Sequence, residues 1–114
     1  MQELKTPTGR FYLTVETDRQ NQLMVVNCKG YLTADSIQTG AAAYTAALAR
    51  AGYSRVLNDT REGRGPWDHS MEWIIQEWAP NAAGAGLRYF AMVTSPETFD
   101  EESASTFYQQ LTAF

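Results

Sequence analysis

From Phe11 onward the apolar positions fall into blocks whose period changes along the chain. Phe11–Glu16 (FYLTVE) alternates and is rich in β-forming side chains, Asp18–Gln22 is turn-like, and Gln22–Lys29 is a second apolar run. A period of two on both sides of a short polar turn predicts an antiparallel hairpin, which Gly30 ends. The period then lengthens. Ile37, Ala41, Tyr44 and Leu48 are spaced by 4, 3 and 4, the signature of one helical face. Thr33 stands where an N-cap belongs, Asp35 lies in the first turn where the helix dipole favours a negative charge, and Gly52 suits the residue just past the end. Tyr53–Asn58 (YSRVLN) reads as an interior strand. Gly65 and Pro66 open a second helix, which Pro80 breaks or kinks near Trp78, and Asn81–Gly86 adds a further turn. Leu87–Thr94 (LRYFAMVT) is the most apolar stretch after the Cys28 strand and is assigned to the sheet centre. Ser95-Pro96-Glu97 starts a short helical element. A last helix spans about Glu101 to Phe114, with Phe107, Leu111 and Phe114 on one stripe and Phe99 near its start. Residues 1–10 are polar and read as a flexible lead-in.

The expected architecture is one α/β domain over 11–114. It holds a mixed sheet of about four strands, an antiparallel hairpin followed by parallel βαβαβ, and three main helices. A chain of 114 residues can bury a real core without disulfide or metal staples.

Charge narrows the function classes. Nine Lys and Arg stand against thirteen Asp and Glu, for a net charge of −4. The basic residues are scattered, which argues against a nucleic-acid or anionic-membrane surface. No run approaches the roughly 20 apolar residues that span a bilayer, and no leader peptide is recognisable, so a cytoplasmic protein is expected. Cys28 is the one cysteine. Within one chain it has no disulfide partner, and its apolar neighbours predict an inert buried thiol.

The chemistry-bearing residues concentrate between Leu57 and Pro80. The charged segment Asp59–Gly65 reads as a loop at the carboxyl end of a strand, feeding a helix N-terminus. That placement favours an anion, with Asp59, Thr60, Arg61, Arg64 and Trp67 as the ligand-binding set and the two arginines as hydrogen-bond donors. The segment is not GxxxxGK[ST], and Asp59, Glu62 and Asp68 offset the arginines, so a turn serving structure alone is the competing reading. On the following helix Trp67, Met71, Ile74, Ile75 and Trp78 share a stripe about 100° wide at 100° per residue. Trp73 lies roughly 140° from Trp78, beside His69, Gln76 and Glu77 on the expected polar face. Trp73, His69 and Glu77 are therefore the partner-contact set, with burial of Trp73 under the last helix as the alternative. Asp68, His69 and Ser70 are chain neighbours pointing about 100° apart, so they do not make a triad. No catalytic residue, metal site or cofactor motif is assigned.

Gly30-Tyr31-Leu32-Thr33, Val56-Leu57-Asn58-Asp59-Thr60-Arg61, Gly65–Trp67 ahead of Glu72-Trp73, Trp78-Ala79-Pro80 and Gly86-Leu87-Arg88-Tyr89-Phe90-Ala91 together resemble the SpoIIAA-like, STAS-type domain proteins. The resemblance covers about Phe11 to Phe114. It implies a fold related to anti-sigma-factor antagonists and, more distantly, to CRAL-TRIO lipid-binding domains. It also implies a regulatory module that works through protein contacts, or alternatively a domain for a small anionic or lipid-like ligand. In the antagonists a phosphorylated Ser follows an Asp at the start of the helix after the third strand. Here that region reads Trp67-Asp68-His69-Ser70, with Ser70 displaced from the pattern. Similar proteins also continue with one more strand and a short helix. A sheet lacking that strand, together with the apolar last helix, implies self-association as a homodimer.

Overall fold

The N-terminal segment that reads as a lead-in is a strand. In the computed structural model, which describes residues 2–64, 67–95, 105 and 109, β1 (Gln2–Lys5) pairs antiparallel with β2 (Phe11–Asp18). Its polar side chains hid it, because an edge strand is held by backbone hydrogen bonds and needs little burial; only Leu4 packs against the core. A bulge at the β1–β2 junction sets Leu4 opposite Leu13 and Lys5 opposite Phe11, leaving Tyr12 extra. Tyr12 and Leu13 are consequently both buried, and both lie beside Gly40 of the first helix.

The expected hairpin follows. β2 pairs antiparallel with β3 (Leu23–Tyr31) across a turn in which Asn21 donates from its backbone and side chain to the Asp18 carboxylate at 3.2 and 2.8 Å. Helix α1 (Ala34–Ala51) is the element that the pattern located best. Thr33 Oγ1 accepts from the Ser36 N–H at 3.1 Å, Ile37, Ala41, Tyr44 and Leu48 are buried, and Gly52 caps the end at φ 71°. Burying Leu48 alone contributes about 1.5–3 kcal/mol.

β4 (Arg55–Arg64) pairs parallel with β3, and β5 (Tyr89–Val93) pairs parallel with β4, giving one mixed five-stranded sheet in the order β1-β2-β3-β4-β5. Strand order follows chain order, so among the described strands β5 lies beside β4 at the end of the sheet and not at its centre, where its apolar sequence placed it. Between β4 and β5 runs the second helix, here α2. It opens as a 3₁₀ turn (Asp68–Ser70), continues as α-helix (Met71–Trp73) and π-helix (Ile74–Trp78), and closes as α-helix (Ala79–Gly84). The chain is not broken at Pro80. Proline offers no N–H and crowds the carbonyl four residues back; the Ala79 N–H instead reaches back to the Ile74 carbonyl, and the widened π turn takes up the misfit.

Two main helices are therefore described, not three. Of the helix expected over 101–114, only Ser105 and Gln109 are described, both helical; the rest of that expectation lies outside the described residues. Both crossovers advance in the same direction along the sheet, so α1 and α2 cover the same face. Leu13, Cys28, Asn58 and Phe90 meet Ile37, Tyr44, Ile74 and Trp78 there. No helix among the described residues is long and apolar enough to cross a membrane.

Candidate functional site

The expected loop over Asp59–Gly65 is the second half of β4 as far as Arg64. A strand sends successive side chains to opposite faces, and this divides the predicted ligand-binding set. Thr60 points into the helix-covered core, fully buried, and its hydroxyl donates to the Val93 carbonyl at 2.9 Å. Trp67 is buried in the same core. Asp59 and Arg61 lie on the opposite face, closed on each other. Arg61 Nη2 donates to Asp59 Oδ2 at 2.8 Å and Nε to Oδ1 at 3.1 Å, while the Arg61 N–H reaches Oδ1 at 3.0 Å. These bonds from the Arg61 side chain, then from its backbone, hold the Asp59 carboxyl below the usual carboxylate range. The arginine meant for an anionic ligand already has a carboxylate. Arg64 ends the strand, paired in register with Tyr31.

The charged half of β4 stays in the sheet because of a second bulge. Asn27 pairs with Asp59 and Lys29 with Glu62, so β4 carries one residue more than β3 over this stretch. The extra residue resets the alternation, turning Gly63 inward and leaving Glu62 and Arg64 exposed. Glu62 meets Lys29 at 3.6 Å across the strands. Arg10 clasps the end of β3, donating to the Tyr31 carbonyl at 3.0 Å and the Lys29 carbonyl at 3.4 Å. Its guanidinium fills the space that a side chain at Gly30 (φ 71°) would need.

The predicted partner-contact set also separates. Trp73 is half-buried and packs on the core cluster, not on a polar face. A uniform 100° per residue would put Trp73 on the polar face, but the π turn over Ile74–Trp78 advances less per residue and swings Trp73 toward the side of Trp78. Glu77 remains exposed. His69 is exposed and tilts against Tyr31, with ring centroids 6.3 Å apart. Its Nδ1 lies 2.8 Å from the Ser70 hydroxyl. Ser70 is 2% exposed, so a kinase reaches it only if this turn opens. No carboxylate among the described residues orients the His69 ring, and no three His, Cys, Asp or Glu groups among them converge as they would around a metal ion.

What assembles at the carboxyl ends of β3 and β4 is thus an aromatic and ionic rim: Tyr31, 52% exposed, tilted against His69 and flanked by the Lys29–Glu62 pair, Arg64 and Asp68. No protein-family model, curated protein or solved structure matches the chain. The rim therefore has to be read from its own chemistry. The sequence pointed to His69 as a partner contact and to Arg64 as an anion ligand, and singled out neither Tyr31 nor Arg10. The available signal was the large aromatic directly after Gly30, at the end of an apolar strand.

Proposed function

We propose that this chain is a binding or regulatory module of STAS type that engages a protein partner at the carboxyl ends of β3 and β4. The observation that carries the reading is the Tyr31–His69 pair, two exposed aromatic rings tilted against each other, with the Tyr31 backbone held by the Arg10 clasp and Lys, Arg, Asp and Glu side chains around them. A rigid aromatic centre with a polar rim is the composition of protein-contact surfaces, where Tyr and Arg supply most of the binding energy. The hairpin followed by two crossovers supports the STAS-type reading, because that is the arrangement the resemblance implies. An anionic ligand on Arg61 is the weaker reading, since Asp59 already satisfies that guanidinium.

The test is capture of partners from the source cell on immobilised protein, read by quantitative mass spectrometry. Tyr31→Ala is expected to lose the specific partners at least tenfold. Tyr89→Ala, which removes another exposed aromatic ring, is expected to retain them. An unchanged set on Tyr31→Ala would sink the proposal.

A further inference from the structure

Beneath this rim, between the sheet and both helices, lies a cavity that no part of the binding surface uses. It leaves about 30 Å³ for the centre of a water molecule. For a near-spherical void this is roughly 150 Å³ of room for atoms, the size at which an apolar protein cavity takes up a benzene ring. Tyr44, Trp67, Trp78 and Phe90 supply aromatic wall, and no charged side chain lines it among the described residues. The aromatic walls are fixed: Trp78 sits edge-on to Tyr44 at 5.9 Å and to Phe90 at 5.3 Å, and its indole N–H donates to Thr45 Oγ1 at 3.1 Å.

The lining also carries polar atoms. Asn58 is 3% exposed, and its Oδ1 accepts from the Cys28 thiol at 3.5 Å. Its amide N–H groups and the Tyr44 hydroxyl have no hydrogen-bond partner among the described residues. Burial pushes the Tyr44 phenol well above its ordinary range, so at neutral pH it is a protonated donor. Both residues line an otherwise apolar space, where an acceptor on a ligand would satisfy their donors.

We infer that this cavity is a binding site for a small neutral aromatic molecule bearing one hydrogen-bond acceptor, its ring against Trp67, Trp78 and Phe90 and its polar group on Tyr44 and Asn58. Neutrality follows from the lining. A carboxylate would lose its hydration without gaining a cation. The ligand class therefore differs from the anion that the arginines of β4 imply, and the site is separate from the Tyr31–His69 surface.

The test uses 4-fluorophenol, fluorobenzene and benzoate as probes, followed by the indole N–H resonances of the tryptophans. 4-Fluorophenol is expected to give saturable shifts at Trp67 and Trp78 with Trp73 unmoved, and benzoate to give none. Tyr44→Phe removes only the hydroxyl and is expected to weaken 4-fluorophenol by roughly 2- to 10-fold while leaving fluorobenzene unchanged. Absence of saturable shifts at Trp67 and Trp78 with 4-fluorophenol overturns the site. Benzoate binding as tightly as 4-fluorophenol overturns its neutrality. Equal affinities of wild type and Tyr44→Phe for 4-fluorophenol overturn the hydrogen-bonding assignment. Wild-type measurements decide the first two, so the proposal does not depend on how the variant folds.

Discussion

Cys28 shows how far one side chain's chemistry is set by its surroundings. The sulfur sits in β3, 1% exposed, with Asn58 as its acceptor, and burial followed by the nearby Asp59 charge pushes the thiol up to about 12. The thiolate is the reactive form, and at neutral pH the native chain holds almost none. Ellman's reagent at pH 7.5 is accordingly expected to modify native protein at least a hundredfold more slowly than protein unfolded in guanidinium. Comparable rates would show that the strand opens readily. The burial of the thiol was legible in sequence from its run of apolar neighbours. The Asp59–Arg61 closure was not, although it spans only two residues, because it exists only where an extended backbone turns both side chains to one face.

Among the elements, α1 was readable to within a residue at its start because Thr33, its apolar stripe and Gly52 all carry local signals that agree. β4 was readable only in its first half. Val56 and Leu57 announce a strand, but DTREGR carries the charges and glycine of a loop, and what keeps it extended is pairing with Lys29, Gly30 and Tyr31 some thirty residues earlier. β1 failed for the same reason. α2 was located correctly, and its buried stripe of Trp67, Ile74 and Trp78 is real; its periodicity was wrong from Ile74 because a π turn has no signature beyond the Pro80 that follows it. This turn makes Trp78 the tie between helices. Trp78→Phe keeps a ring against Phe90 but deletes the bond to Thr45 and part of the packing on Tyr44. A loss of about 1–3 kcal/mol is expected, measured by urea unfolding. Thr45→Val, which removes the acceptor alone, should cost less. If both variants unfold at the wild-type midpoint, α1 and α2 are held by other contacts.

At the scale of the whole molecule, one sheet face is packed under two helices, and the titratable groups buried there, Cys28, Tyr44 and Tyr12, are weak acids held neutral. Burial raises Cys28 to about 12 and moves Tyr44 and Tyr12 above their ordinary range. A group whose pKa is raised on folding contributes fully below its unfolded value, and the contribution disappears as pH rises through the folded one, because the unfolded chain sheds the proton first. The cysteine leads at the start of that window, since its unfolded pKa is near 8.5–9 and a tyrosine's is near 10. Between pH 9 and pH 10 the thiol by itself should lower unfolding stability by about 1 kcal/mol, approaching the 1.36 kcal/mol per pH unit that one proton allows, and the tyrosines, half ionised in the unfolded chain at pH 10, add to the fall. Cys28→Ala is destabilised by its lost packing at every pH, so the slope and not the absolute stability is the readout. From pH 9 to 10 its stability should fall by about 1 kcal/mol less than that of the wild type, leaving only the share of the tyrosines. Denaturant midpoints at pH 7, 9, 10 and 11 measure both chains. Parallel curves would mean that the thiol titrates alike in the folded and unfolded chains, and that the interface between sheet and helices is open to water at Cys28.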